Sequence, residues 1–313
     1  MAFDVSALSA YVNEHAMGLI VQSVAGGQLS KYANLQAGIK GPTTINTLDT
    51  NVVLQDAGCS RSADGTTTLS QRTITPNALA VFEDLCTANL EATYLSTELK
   101  KGVTEQLESI PFEQTYIDLK VAKIQKQIEV KDWTGVAGAG SYAGLAAQST
   151  AVVEINPASA GAIVAAASGN GIIAAFTKMA QNMDEDIADA DDIKLFCGMD
   201  MFLMYQAAIA DGNYFHYVVD GAPMNELPLI GFPQVTVVGT VGLSGLNTGV
   251  AGDVCAYLTR ASNIVIGVDI PDEEADDVQS WFDPNTRLYK FSFCFRRGLN
   301  WAFPTEANRL KLT

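Results

Sequence analysis

The chain has 313 residues, 48% of them apolar and 17% charged, with a formal net charge of −16 at pH 7. That length can bury a substantial core in one or two domains, and the apolar share excludes a disordered chain. The negative charge argues against a surface built to grip nucleic acid, because phosphate affinity comes from Lys and Arg neutralising the backbone.

From the N-terminus, Leu8, Tyr11, Val12, Leu19, Ile20 and Val24 fall at helical spacing over 5–24, and Gly26-Gly27 ends the pattern. Asp4 and Glu14 interrupt this stretch and no basic start precedes it, so a secretory signal is not expected. Residues 43–80 are rich in Thr, Asn and Asp. Val52-Val53-Leu54 and Thr66–Thr75 are expected as two strands, with Asp64-Gly65 in the turn between them. So polar a ribbon has no core of its own and must lean on another surface. Taken alone, the pattern favours an ordinary surface hairpin. Residues 81–99 connect it to the next element.

The clearest helix is expected over 111–131. Pro111 suits its first turn and Glu113 its positive end. Ile117, Val121, Ile124 and Ile128 form one apolar stripe, and Lys120, Lys123 and Lys126 run along another face that reads as solvated. At 1.5 Å per residue this helix is roughly 30 Å long. The Gly-rich stretch from Trp133 to Leu145 reads as a flexible joint. The uncharged run Ile155 to Thr177 is broken by Asn156-Pro157 and Ser168–Gly171, which predicts loop plus buried helix and not a membrane span.

Further along, Gly171–Ile187 predicts a helix with Ile172, Phe176, Ala180 and Met183 on one face. Ile193–Cys197 predicts a short buried strand. Asp200 is placed to cap a helix over Met201–Ala210 that Gly212 ends. Leu227–Val238 reads as one strand. Helices and short strands in alternation imply a compact α/β or α+β unit. Asp253–Asp269 carries two apolar strand signals, an acidic loop containing Trp281 follows, and Leu288–Pro304 reads as a closing pair of strands hinged at Gly298. In that last stretch Tyr289, Phe291, Phe293 and Phe295 alternate as a buried row, with Leu299, Trp301 and Phe303 beyond the hinge.

Candidate chemistry is sparse. His15 and His216 are the only histidines, some 200 residues apart, with no Cys or carboxylate at ligand spacing, so neither predicts a metal site. His216 sits among Tyr214, Phe215 and Tyr217, where packing is the better reading. Gly138, Gly140 and Gly144 have the wrong spacing for a dinucleotide loop and follow a helix, not a strand. Gly242-Leu243-Ser244-Gly245 is one residue short of a nucleophile elbow. The acidic clusters Asp184-Glu185-Asp186 with Asp189, Asp191 and Asp192, and Asp272-Glu273-Glu274 with Asp276 and Asp277, lack the order of a calcium loop. Five cysteines, Cys59, Cys86, Cys197, Cys255 and Cys294, are odd in number and widely spaced, which fits reduced thiols.

Four phrases stand out: Leu85-Cys86 followed by Leu90-Glu91; Leu227-Pro228 running to Gly231-Phe232-Pro233; Asn263-Ile264-Val265-Ile266-Gly267-Val268-Asp269; and Arg297-Gly298 running to Pro304. They resemble the corresponding phrases of tailed-bacteriophage major capsid proteins, which have the Hong Kong 97-type shell fold. The resemblance implies an α+β fold, with an N-terminal arm at 1–42 and an extended β-ribbon loop at 43–80. It places a peripheral domain with a spine helix (111–131) at 81–150 and an axial domain at 151–262. Closing strands at 263–313 would return to the peripheral domain.

The function implied is structural, not enzymatic: pentamers and hexamers forming an icosahedral head around the DNA genome, located in the virion. The implied partners are the chain itself, a scaffolding protein, a portal and a decoration protein. No cofactor, specific nucleic-acid contact or membrane is implied. Encapsulin-type compartments share this fold and are the nearest alternative. A metal-assisted soluble α/β enzyme using the acidic clusters is the rival from another class. Some relatives weld their shells through a lysine on the extended loop. Here no lysine lies between Lys40 and Lys100, so the resemblance carries no such weld to this chain.

Overall fold

The computed structural model describes residues 23, 27–55, 65–86, 112–149, 152–155, 170–212, 225–244, 254–269, 278–286 and 288–311. Apart from Ser23, the expected helix at 5–24 lies outside them, as do residues 87–99, the acidic segment 272–277, His15, His216 and Cys59.

In chain order, the first strands are β1 (Asn34–Ala37), β2 (Thr43–Asn51), β3 (Thr66–Ile74) and β4 (Asn77–Cys86), followed by helix α1 (Phe112–Thr134). Then come β5 (Val153–Ile155), α2 (Asn170–Gln181), β6 (Ile193–Gly198), α3 (Met199–Asp211), β7 (Glu226–Leu229) and β8 (Phe232–Thr240). The chain closes with β9 (Val254–Arg260), β10 (Ile264–Asp269), β11 (Val278–Asp283), β12 (Leu288–Trp301) and β13 (Asn308–Lys311).

β12 organises the first sheet. Its odd-numbered residues Tyr289, Phe291, Phe293 and Phe295 are buried while the even ones between them are half-exposed, as the period of two requires. β4 runs antiparallel along one side, from Leu288↔Cys86 to Arg297↔Asn77. On the other side β11 pairs the first half and β10 the second, and β1 adds parallel to β10. α1 lays Ile117, Val121, Ile124 and Ile128 over the aromatic face.

The second sheet has six strands in the order β5-β13-β9-β6-β8-β7. α2 and α3 cover one face, packing Phe176, Met179, Phe202 and Tyr205 on Leu195, Val237 and Leu258. The opposite face presents Phe196, Val238 and Tyr257 to the first core. Trp133, at the end of α1, stacks on Tyr257 with ring centroids 5.5 Å apart and lies 5.4 Å from Phe196; Tyr257 in turn lies 5.7 Å from Trp301 of β12. These four rings join the two sheets.

Several local expectations change. Val52–Leu54 is not a strand: the first arm of the ribbon is β2, and its ladder ends at Asn51↔Thr66. Trp281 lies in β11, not in a loop. Gly298 does not break the last strand, because β12 runs straight through it. A Cβ there would come within 2.8 Å of Pro76 Cα and Thr75 O, so glycine lets the β3–β4 corner lie against the sheet. Leu227–Val238 is a hairpin, β7–β8, turning at Gly231 with φ 84°. The Tyr205 hydroxyl clips that turn, donating to Pro228 O at 2.9 Å and accepting from Ile230 N at 3.0 Å.

The helix expected to reach Ile187 stops at Gln181, where Asn182 turns its side chain onto Lys178 O at 2.7 Å; a separate 3-10 turn covers Glu185–Ile187. Asp200 sits inside the first turn of α3 instead of capping it, and the N-terminal donor Met199 N is satisfied by Ser244 Oγ at 2.9 Å. The Gly135–Gly144 segment is a closed loop, not a flexible joint. Gly144 N donates to Gly135 O at 2.8 Å, and a Cβ on Gly135 would fall 2.4 Å from Tyr142 O. Finally, the chain after residue 263 does not stay with the first sheet. β13 crosses to the second, pairing with β9 and β5, because Leu310 completes the core under α2 and α3.

Candidate assembly surface

The β2–β3 ribbon is the most unusual surface on the molecule. Its register runs from Thr43↔Ile74 to Asn51↔Thr66, about 30 Å at the rise of an antiparallel strand. Thr47 and Ser70 hydroxyls bond across it at 2.8 Å, and Thr50 reaches Thr67 at 3.3 Å. Only the base is anchored. Ile74 is fully buried against Val265 and Ala302, Asn300 donates to Thr73 O at 2.8 Å, and Arg72 donates to Asn300 Oδ1 at 3.3 Å. A Cβ on Gly267 would be 3.2 Å from Ile74 and 3.0 Å from Ile39, so that glycine admits the root of the ribbon.

Beyond the base, both faces are bare. Leu48 and Leu69 sit opposite one another at 60% and 79% exposure, and Leu54 beyond them is 94% exposed beside the exposed Val52 and Val53. Aliphatic side chains concentrated on a two-stranded element without a core make this ribbon the candidate surface for association. A second exposed feature lies on the outer face of the first sheet, where Phe82 of β4 is 73% exposed and Trp281 of β11 is also exposed.

The ground beneath these surfaces is held by charge. Arg297, the next inward position after Phe295, is fully buried and makes a two-pronged bond to Asp132 of α1: Nε to Oδ1 at 2.8 Å and Nη2 to Oδ2 at 2.6 Å. Ser30 Oγ accepts a further bond from Nη2 at 3.0 Å, and Tyr142 OH donates to Asp132 Oδ1 at 2.5 Å. Burial opposes the Arg297 charge, but Asp132 outweighs it and holds the guanidinium protonated; the Tyr142 phenol is pushed well above its ordinary value by burial and by Asp132. Bidentate geometry with every remaining group bonded is what makes such a buried pair tolerable.

One turn earlier, Glu129 is buried, and its Oε1 has no hydrogen-bond partner. Burial raises its pKa, with Asp132 adding to the effect and the nearby backbone N–H groups of Gln28, Val241 and Gly242 opposing it. Composition reasoning missed Asp132, Arg297 and Glu129. A signal for one was present: Arg297 continues the odd-numbered inward row, so its charge required a buried partner.

The candidate chemical groups do not converge. Among the described residues no set of three or more His, Cys, Asp or Glu could hold a metal ion. Asp192 instead accepts from Ser262 N at 3.1 Å and Ser262 Oγ at 2.6 Å; burial opposes its charge, yet these bonds and Arg260 hold its carboxyl below its usual range. Cys86, Cys197 and Cys294 are free thiols, and burial pushes the Cys197 thiol up. No described helix is long and apolar enough to cross a membrane.

No protein-family model matches this chain, and no curated protein does. Solved structures do. The capsid of Myoviridae phage XM1 aligns with a TM-score of 0.58 at 13% identity, over 93% of this chain and 92% of that one. The capsid of a native GTA particle aligns at 0.56 and 14% identity, over 93% and 90%. The procapsid of satellite phage P4, a structure that includes a size-determination protein, aligns at 0.53 and 8% identity, over 95% and 90%. With near-complete coverage of both chains in each case, this chain has the fold of phage capsid proteins, the Hong Kong 97-type shell fold.

Proposed function

We propose that this protein is the shell subunit of a phage head, assembling with copies of itself as pentamers and hexamers into a closed icosahedral container for DNA. The observation that carries this reading is the β2–β3 ribbon: firmly rooted at Ile74 and Thr73, yet bare on both faces where its leucines and valines lie. In a shell a neighbouring subunit covers that surface. The five-stranded sheet with α1 then serves as the peripheral domain, the six-stranded sheet with α2 and α3 as the axial domain, and 43–80 as the extended loop. A scaffolding protein, a portal and a decoration protein are the expected further partners, and the virion head is the expected location. The net charge of −16 suits an inner wall that does not trap the enclosed polymer.

Sedimentation and negative-stain microscopy of the purified protein, alone and with its cognate scaffold, test this. Closed shells, rings or tubes far above 33.3 kDa are expected. A monodisperse monomer at high concentration in several salts, with scaffold present, would falsify the reading.

A further inference from the structure

A groove of about 280 Å³ lies between α1 and the free edge of β4. Its floor is apolar, formed by Val81, Ile124 and Phe295, and its rim carries Lys120, Lys123 and Lys131. No described carboxylate lines it. The lysines cluster there although the whole chain has only 19 basic residues against 35 acidic ones. Elsewhere five basic side chains are committed to carboxylates, Arg297 to Asp132, Arg260 to Glu306, Arg309 and Lys311 to Glu154, and Lys290 to Asp283, whereas Lys31, Lys40, Lys126 and Lys194 form no ion pair among the described residues. In the groove Lys120 pairs with Glu83, but Lys123 and Lys131 form no ion pair among the described residues. The wall is also incomplete as a sheet. Among the described strands β4 pairs only with β12, which leaves its other edge without a ladder partner.

An occupant that satisfies these features is extended, to bond the edge, and acidic, to meet the lysines. The chain carries one such segment in concentrated form: Asp272-Glu273-Glu274-Ala275-Asp276-Asp277, five carboxylates in six residues. A run of like charge repels itself and reads as an interaction segment. In extended form Asp272, Glu274 and Asp276 share one side and span about 13 Å, while Lys120 to Lys131 span about 16 Å along the helix. The segment joins β10 to β11, and both of those strands lie on the side of β12 away from β4, so to reach the groove of its own chain it would have to pass β12 and β4.

We propose that the groove between α1 and β4 receives the acidic segment 272–277 of a second copy of the chain, held by Lys123 and Lys131 and by strand addition to β4. The proposal rests on the shell reading above.

Carbodiimide coupling tests it directly, since it forms an amide only between a lysine amine and a carboxylate already in contact. Shells are assembled from equal amounts of ¹⁴N- and ¹⁵N-labelled protein, coupled, digested and analysed by mass spectrometry. Mixed-isotope peptides joining Lys123 or Lys131 to a carboxylate within 272–277 are expected. Single-isotope linkages alone mean that the segment folds back on its own chain, and linkages to Asp49 or Asp56 mean that the ribbon fills the groove; either overturns the proposal, as does the absence of any linkage at these lysines. In parallel, K123E/K131E should weaken assembly, and lysines in place of Asp272, Glu274 and Asp276 in the same chain should restore it. Unaltered assembly of K123E/K131E counts against the groove. If that variant fails to fold, the isotope experiment on the native sequence decides. Shells that form without the linkage sink this proposal alone; wild-type protein that never leaves the monomer sinks the shell reading with it.

Discussion

The β2–β3 ribbon and the joint around Arg297 and Trp133 are built from the same chain by opposite means. The ribbon has a complete backbone ladder and almost nothing beneath it, so its side chains contribute to stability only when something else covers them. The joint is enclosed from every side: four aromatic rings, a buried ion pair with its hydrogen bonds made, and glycines where any side chain would collide. A Cβ on Gly242, for instance, would fall 2.3 Å from Trp133 Cδ1. The contrast separates two tasks. The joint sets the shape of the monomer, and on the proposed shell reading the ribbon holds surface in reserve for association.

The largest way to test that contrast is to break the joint. Arg297→Met leaves Asp132 charged, buried and unpaired, a loss of about 3–5 kcal/mol. Asp132→Leu leaves Arg297 in the same state. The double variant, with both charges gone, should lose less than either single one. Thermal and urea unfolding of the three proteins measure this; equal losses that simply add would show that the pair is not coupled.

A smaller effect should appear in pH dependence. The folded-state pKa of Glu129 is raised by burial, so the folded chain binds this proton more tightly than the unfolded chain. The contribution is therefore most favourable below the ordinary carboxyl range and is lost as pH rises through that range to the raised value. Glu129→Gln, neutral throughout, should gain on the wild type over that window and keep its advantage at neutral pH. A parallel pair of stability curves across the window would exclude Glu129 as the source.

On the ribbon the same kind of change should leave the monomer untouched. Leu54→Ser, at a position 94% exposed, is expected to alter monomer stability by less than about 0.5 kcal/mol. Burial of a leucine contributes about 1.5–3 kcal/mol, so the concentration needed for assembly should rise roughly tenfold or more. Protease should also cut the ribbon first in unassembled protein and spare it in shells. Equal cutting in both states would mean that the ribbon remains a bare hairpin.

The smallest expected effect is none at all. No lysine lies between Lys40 and Lys100, and guanidinium is too weak a nucleophile for Arg61 or Arg72 to replace one. Mature particles boiled in denaturant should run as one band near 33.3 kDa. A reductant-resistant ladder would reveal a different nucleophile.

What could be read from the sequence was whatever local spacing controls. The α1 stripe of Ile117, Val121, Ile124 and Ile128 and the inward row of Tyr289, Phe291, Phe293 and Phe295 follow from the periods of helix and strand, and both are buried where expected. The coreless polarity of the ribbon was equally visible, although its first strand lies earlier than its valines suggested. What the tertiary structure alone decided concerns partners distant along the chain. Arg297 and Asp132 are 165 positions apart, and no local pattern joins them. Gly298 looked like a hinge because glycine weakens strands; it is instead where Pro76 leans on the sheet, a contact made by a corner some 220 residues earlier. β13 looked like the end of the first sheet, but strand pairing goes to whichever open edge the fold brings near, and here that edge belongs to β9. Side-chain periodicity is a property of neighbours in sequence, whereas edges, buried charges and close backbone approaches depend on which surfaces the completed fold brings together.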